Sequence, residues 1–260
     1  MSSDSLVDQD VQRALPEHAY RQLQSAEDSF VALFSEHSIA NNMGVAILLN
    51  DTGMAHTSPQ SLGPLARYLN AEGWVTLVMT APPLPRSAES QSPVTNNEDT
   101  ETADIRPFEA IAQTSVEQFE TFTTQLTQRV DAAKEFASGY PGFVLVVAQG
   151  ISAAALLNRY SEQQQNLPDA LVTVSPYWPD RQRNHQLAQQ MAEVPIPVLD
   201  IYNRWNNAWT LSERQQRLIA AQKALKLHYR QREIIGTQLI AGQYPYIAKE
   251  VQGWLIYMGW

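Results

Sequence analysis

The stretch most able to do chemistry is PGFVLVVAQGISAAALLNRY, residues 141–160. An apolar run, a glycine and an Ala-rich segment give the strand–turn–helix outline of a nucleophile elbow. That turn raises a serine above a parallel sheet so that it can attack a carbonyl carbon. Small residues flank the apex of such a turn because the backbone bends too sharply for bulk. Laid over the sequence without gaps, Ala148 and Ser152 are the small flanks, Gln149 and Ile151 lie between, and Gly150 is the apex. This register has no nucleophile. A non-glycine apex is held in a strained geometry costing about 1–3 kcal/mol, which glycine adopts without steric penalty. A second register, GISAA, makes Ser152 the nucleophile and shifts the turn two residues into the alanine run. A third reading makes Ser152 a helix N-cap; it explains the serine without chemistry and is preferred.

A serine nucleophile also needs an acid and a base, in the chain order Ser, acid, His. The acid belongs after the run PVLDIY, where the chain has NRWNNAW, with Asn203, Asn206 and Asn207 but no carboxylate. Asp180 can stand in by position, whereas Asp200 lies inside its strand and is expected to make buried hydrogen bonds. The base belongs in the loop after the last strand, around Gln238, which has no histidine. His185 and His228 are placed too far from the apex. A neutral amide cannot take the serine proton as imidazole does. An active enzyme would have to use Ser152 with Asp180 and His56; the preferred reading is that no catalytic residue remains. His56 and Gly53 lie in NDTGMAHTSP, the loop that would supply an oxyanion hole, and His56 is either a surface-loop histidine or a pocket lining. Gly53, His56, Gln149, Gly150 and Ile151 form the expected vestigial pocket. The five histidines show no metal-ligand spacing, and no G-x-G-x-x-G or Walker sequence calls for a nucleotide, so no metal or cofactor is expected.

The elements that must position these residues alternate. GVAILLND (44–51), WVTLVMT (74–80), residues 143–149, ALVTVSP (170–176), PIPVLDIYN (195–203) and a segment near 227–235 read as strands. Helical spacing falls at 61–73, about 108–137, after Gly150, at 211–225 and at the C-terminus. Near-continuous apolar strands separated by helices predict an α/β three-layer sandwich, a mostly parallel sheet with helices on both faces. AYRQLQ and FVALFSEHS bracket the turn-like AEDS and predict an antiparallel entry hairpin; a continuous helix through Leu23, Phe30 and Leu33 competes with it. Residues 1–15 are read as flexible, 16–260 as a single domain, and 82–107, rich in Pro, Ser, Thr and acids, as a long mobile excursion.

With 260 residues, 44% of them hydrophobic, the chain can bury a full core. Cysteine is absent, which excludes disulfides and thiol catalysis. A net charge of −9 argues against a general nucleic-acid binder, and no apolar run is long enough to span a membrane. The charge is uneven: residues 1–140 hold 19 acids and 7 bases, residues 141–260 hold 8 acids and 11 bases. The basic half is read as solvated faces or as a surface for an acidic partner or anionic lipid. Aromatics that follow strands, Tyr177, Trp178, Trp205, Trp209 and Tyr244, together with Arg181 and Arg204, form the expected protein-interaction surface, since Trp, Tyr and Arg dominate binding hot spots.

The order of these pieces, with LNAEGWVTL, PVLDIY and the terminal QGWL as the most specific, resembles the DUF3530 family of the α/β-hydrolase superfamily over about residues 18–260. The resemblance implies an α/β-hydrolase fold, a leader peptide and an envelope location, and it brings no activity with it. The N-terminus MSSDSLVDQDVQR shows neither the basic start nor the apolar core of an export signal; the periplasmic location is what the resemblance implies, and a cytoplasmic one is the alternative. Where the superfamily carries Ser, Asp and His, this chain aligns Gly150, an asparagine of 203–207 and a residue near Gln238. Together these readings predict a catalytically inactive hydrolase-like protein that binds a protein partner as an accessory subunit of an envelope complex. The alternatives are a serine esterase or peptidase using Ser152, and a small-molecule binder using the vestigial pocket.

Overall fold

A strand buried on both faces needs apolar side chains on both faces. GVAILL and WVTLVM meet that demand: every residue of β3 (Gly44–Leu49) and β4 (Trp74–Met79) is buried. The computed structural model describes residues 3–84, 114–163, 165–236 and 242–260. Most of the expected excursion at 82–107, the start of the helix placed at 108–137, and Gln238 lie outside the described residues.

Among the described residues, β1 (Tyr20–Gln24), β2 (Ser29–Ser35), β3, β4, β5 (Phe143–Gln149), β6 (Ala170–Val174), β7 (Val198–Asn203) and β8 (Tyr229–Ile234) form one sheet in the order β1-β2-β4-β3-β5-β6-β7-β8. β1 and β2 are an antiparallel hairpin and β2 meets β4 antiparallel, while every pair from β4 to β8 is parallel. The hairpin reading therefore holds over the continuous helix. Its alternation explains why: β2 joins the sheet, and Phe30, Ala32 and Phe34 point into one core.

Helices cover both faces. One core joins the sheet to α3 (Val116–Ala137), α4 (Gly150–Glu162) and α5 (Arg181–Glu193) through Phe122, Leu126, Leu156 and Leu187. The other joins it to α2 (Ala66–Ala71) and α7 (Tyr244–Met258) through Leu65, Leu69, Val251 and Trp254. α6 (Ala208–Lys223) packs on α5 and sends Arg217 to Asp200 of β7 at 2.8 Å. The three-layer expectation is met.

The N-terminal stretch read as flexible carries helix α1 (Ser3–Ala14), in which Val11 is buried and the Asp8 carboxylate accepts the Val31 N–H at 3.2 Å. Val116 of α3 is 59% exposed. It is the first helical residue, inside the Ser115–Gln118 capping box, ahead of the face that meets the sheet.

Candidate functional site

β5 runs extended to Gln149 (φ −114°, ψ 143°), and the chain then reverses at Gly150 with φ +59° to begin α4. The sharp turn is therefore present with its apex at Gly150, as the ungapped register predicts. A second constraint favours glycine here. A Cβ at Gly150 would lie 2.0 Å from Asp51 Oδ2 and 2.3 Å from its carboxyl carbon. The volume in which a nucleophile's side chain would stand is filled by a carboxylate arriving from the loop after β3.

That carboxylate is held by backbone. Its Oδ1 accepts the N–H of Ile151 at 2.8 Å and of Thr52 at 2.9 Å, and the Ser152 amide also donates to the group. In a working elbow the oxyanion hole is formed by the N–H after the nucleophile and an N–H from the loop following this strand. Ile151 and Thr52 are those two positions. The site thus keeps its oxyanion donors and spends them on Asp51. The Tyr177 hydroxyl approaches Oδ2 at 3.5 Å. Burial pushes the Asp51 carboxyl up to about 6, against the N–H donors, which favour the charged form. Burial also raises the Tyr177 hydroxyl, with the Asp51 charge adding to it, so Tyr177 remains a donor.

A cavity of about 180 Å³ opens beside this turn. Asp51, Met54 and Gln60 line it from one side, and Gln149, Gly150 and Tyr177 from the apex. Ser175, Asn206 and Asn207 complete it. Ser175 has φ +57°, a conformation that costs a non-glycine residue about 1–3 kcal/mol. It is held there by Asn206 Nδ2, which donates to its Oγ, and by Thr210 Oγ1, which donates to its carbonyl at 3.2 Å.

The other predicted residues are dispersed. Ser152 is neither apex nor N-cap: it lies in the first turn of α4, fully buried, and its Oγ donates to Asn50 O at 2.8 Å. The N-cap is Gln149 and makes no side-chain cap. The preferred N-cap reading is corrected because the helix starts three residues earlier, with its N-cap at Gln149 rather than Ser152. His56 is neither a surface-loop histidine nor a lining of the apex cavity. Its ring is buried on the side of Val31 and Arg129. Burial, with the Arg129 charge adding, pushes it down to about 4. Gly53 is exposed and also away from the cavity. Asp180 caps α5, accepting the Arg183 N–H at 2.8 Å. Ser152, Asp180 and His56 therefore do not form a triad. Among the described residues no group of three His, Asp or Glu side chains is placed to hold a metal ion.

The expected aromatic surface divides. Trp178 is 1% exposed and stacks edge-on against Phe119, and Tyr244 is buried with its hydroxyl donating to Pro59 O and Ser61 O; both belong to the interior. Tyr177 faces the cavity. Trp205 (66% exposed), Trp209 (39%), Arg181 and Arg204 remain outside, and Arg204 is paired with Glu233 at 2.8 Å. Sequence reasoning missed Asp51 and Ser175. The signal for Asp51 was its place directly after a buried strand, but NDTG reads first as a turn.

The sheet order, the two helical layers and the retained elbow define an α/β-hydrolase fold. Solved structures share it: Est1E from Butyrivibrio proteoclasticus (TM-score 0.61, 11% identity, covering 92% of this chain and 98% of that one). The esterase Pf2001 of Pyrococcus furiosus gives a TM-score of 0.60 at 10% identity over 93% and 92%. The esterase domain of a Rhodothermus marinus protein gives 0.56 at 11% over 90% and 96%. At these identities the likeness concerns the fold alone. The chain belongs to the family described as "Protein of unknown function (DUF3530)", whose model matches residues 3–256. Comparison with curated proteins found no match. Among the described residues no helix is long and apolar enough to cross a membrane.

Proposed function

We propose that this chain is a non-hydrolytic α/β-hydrolase-like protein that acts by binding a protein partner, as an accessory subunit of a bacterial envelope assembly. The observation that carries the loss of hydrolysis is the Asp51 carboxylate seated on the Ile151 and Thr52 amides. An ester carbonyl entering there would have to displace an anion to acquire its own negative charge, the reverse of the electrostatic help an oxyanion hole supplies. The binding surface is the exposed set Arg204, Trp205 and Trp209 beside the cavity mouth, and the envelope location rests on the family resemblance.

A second reading, ester hydrolysis, is favoured by the retained elbow and by the esterases among its structural neighbours. It would need a serine from this site, and Ser175, strained and lining the cavity, is the one so placed. A fluorophosphonate probe separates the two. The proposal expects no labelling of the wild-type chain and little hydrolysis from Gly150→Ser, since a side chain there collides with Asp51. Stoichiometric labelling of a serine, abolished by Ser175→Ala, would establish the hydrolase instead.

A further inference from the structure

We infer that the cavity beside Gly150 is a binding site for a small primary ammonium, with Asp51 as its counter-charge. The inference rests on the non-hydrolytic reading, because it takes Asp51 as a permanent occupant of the turn. Oδ1 is committed to two backbone amides, while Oδ2 faces the apex and is met by Tyr177 only at 3.5 Å. A hydrogen bond at that length leaves much of the acceptor unused.

A second acceptor lies beside it. Gln149 lines the same cavity and is 8% exposed; its Nε2 donates to Gln60 O at 3.1 Å, and its Oε1 has no partner. Buried acceptors are normally satisfied, and this one, enclosed by protein in the free chain, becomes a ligand's acceptor when the Gln149 amide turns toward the cavity. The neighbouring amides are occupied: Asn206 Nδ2 serves Ser175, and Asn207 Oδ1 caps α6 by accepting the Thr210 N–H.

Charge and size narrow the class. Among the described residues no Lys, Arg or His lines the cavity, and Asp51 is its one ionisable carboxyl. A carboxylate drawn out of water without a cation is costly, and an ammonium supplies both the charge and several donors. An anion meets repulsion, and a fatty acyl chain finds one apolar side chain, Met54. The cavity, about 180 Å³ and open to solvent on one side, suits a small free amine.

The test is calorimetric titration of the full chain with ethanolamine, using ethylene glycol as the neutral probe of equal size and acetate as the anion. Ethanolamine is expected to fill one site, with ethylene glycol and acetate at least about tenfold weaker. Asp51→Asn keeps an oxygen for the two amides and is expected to weaken ethanolamine about tenfold or more while its circular dichroism stays unchanged. Gln149→Leu is the second variant and is expected to weaken it less. Equal binding of ethylene glycol, no binding of ethanolamine, or full binding by Asp51→Asn would overturn the inference. Fluorophosphonate labelling on the same samples separates the two failures. Absent amine binding without labelling removes this site alone, whereas labelling with Asp51-dependent amine binding removes the non-hydrolytic reading and leaves the site as substrate recognition.

Discussion

At the scale of single residues, Gly150 and Asp51 explain each other. Glycine at the apex was legible from sequence because the flanking Ala148 and Ser152 preserve the small-residue pattern. Asp51 was not, because no sequence rule reports that a carboxylate 99 positions earlier occupies the volume a side chain at 150 would fill. The pairing has a consequence for stability. Asp51 has a folded-state pKa of about 6 against an ordinary 3.8, with burial as the main cause. A carboxyl shifted upward favours the folded state while protonated, below about pH 4, and that contribution is lost as pH rises through 6. Wild type minus Asp51→Asn should therefore become less stable by about 1–3 kcal/mol between pH 4 and pH 7.5, read by urea denaturation. A flat difference across that range would mean that the carboxylate is solvated and does not plug the turn.

Among elements, the junction of α6 with β7 depends on charge. Arg217 Nε donates to Asp200 Oδ2 at 2.8 Å, Nη1 donates to Thr210 O, and both side chains are fully buried. Tyr229 and Gln231 of β8 donate to the same carboxylate, and Thr173 of β6 reaches its other oxygen. One residue thus ties three strands and a helix. Removing either partner leaves the other charge buried, so Arg217→Met should cost about 3–5 kcal/mol, measured by urea unfolding. A loss below about 1 kcal/mol would show that water reaches Asp200. The buried role of Asp200 was legible from its place in mid-strand, but Arg217 was not, since in LSERQQRLIAAQKAL it looks like any solvated helix charge. The parallel strands β3 to β7 were legible because each is a largely apolar run of strand length, whereas the edge strand β8, YRQREI, is polar and only partly buried. Helix α1 was not legible, because nothing in a segment rich in Asp, Ser and Gln marks Val11 for burial or Asp8 for the Val31 amide.

For the whole molecule, the question is which end of the sheet meets a partner. Trp205, just after β7, lies at the carboxyl ends of the strands, where such sheets place their ligands. Leu227 (87% exposed) and Tyr257 stand at the opposite end, beside a groove floored by Trp254. Sequence showed that both groups of aromatics exist but could not tell Trp205 from Trp178, since each follows a strand by a few residues. Burial depends on whether Phe119 of α3 covers the ring, and that is a matter of tertiary packing. The proposed surface can be judged by two variants. Trp205→Ala and Arg204→Glu change exposed side chains, so each should leave stability within about 0.5 kcal/mol of wild type. On the proposed function, each should nonetheless abolish co-purification of a stoichiometric partner, because a central Trp or Arg typically carries 2 kcal/mol or more of binding energy. Leu227→Ser, at the far end, should leave that capture intact. Capture lost with Leu227→Ser and kept with Trp205→Ala would move the partner to the amino-terminal end of the sheet, away from the Asp51 turn and its cavity.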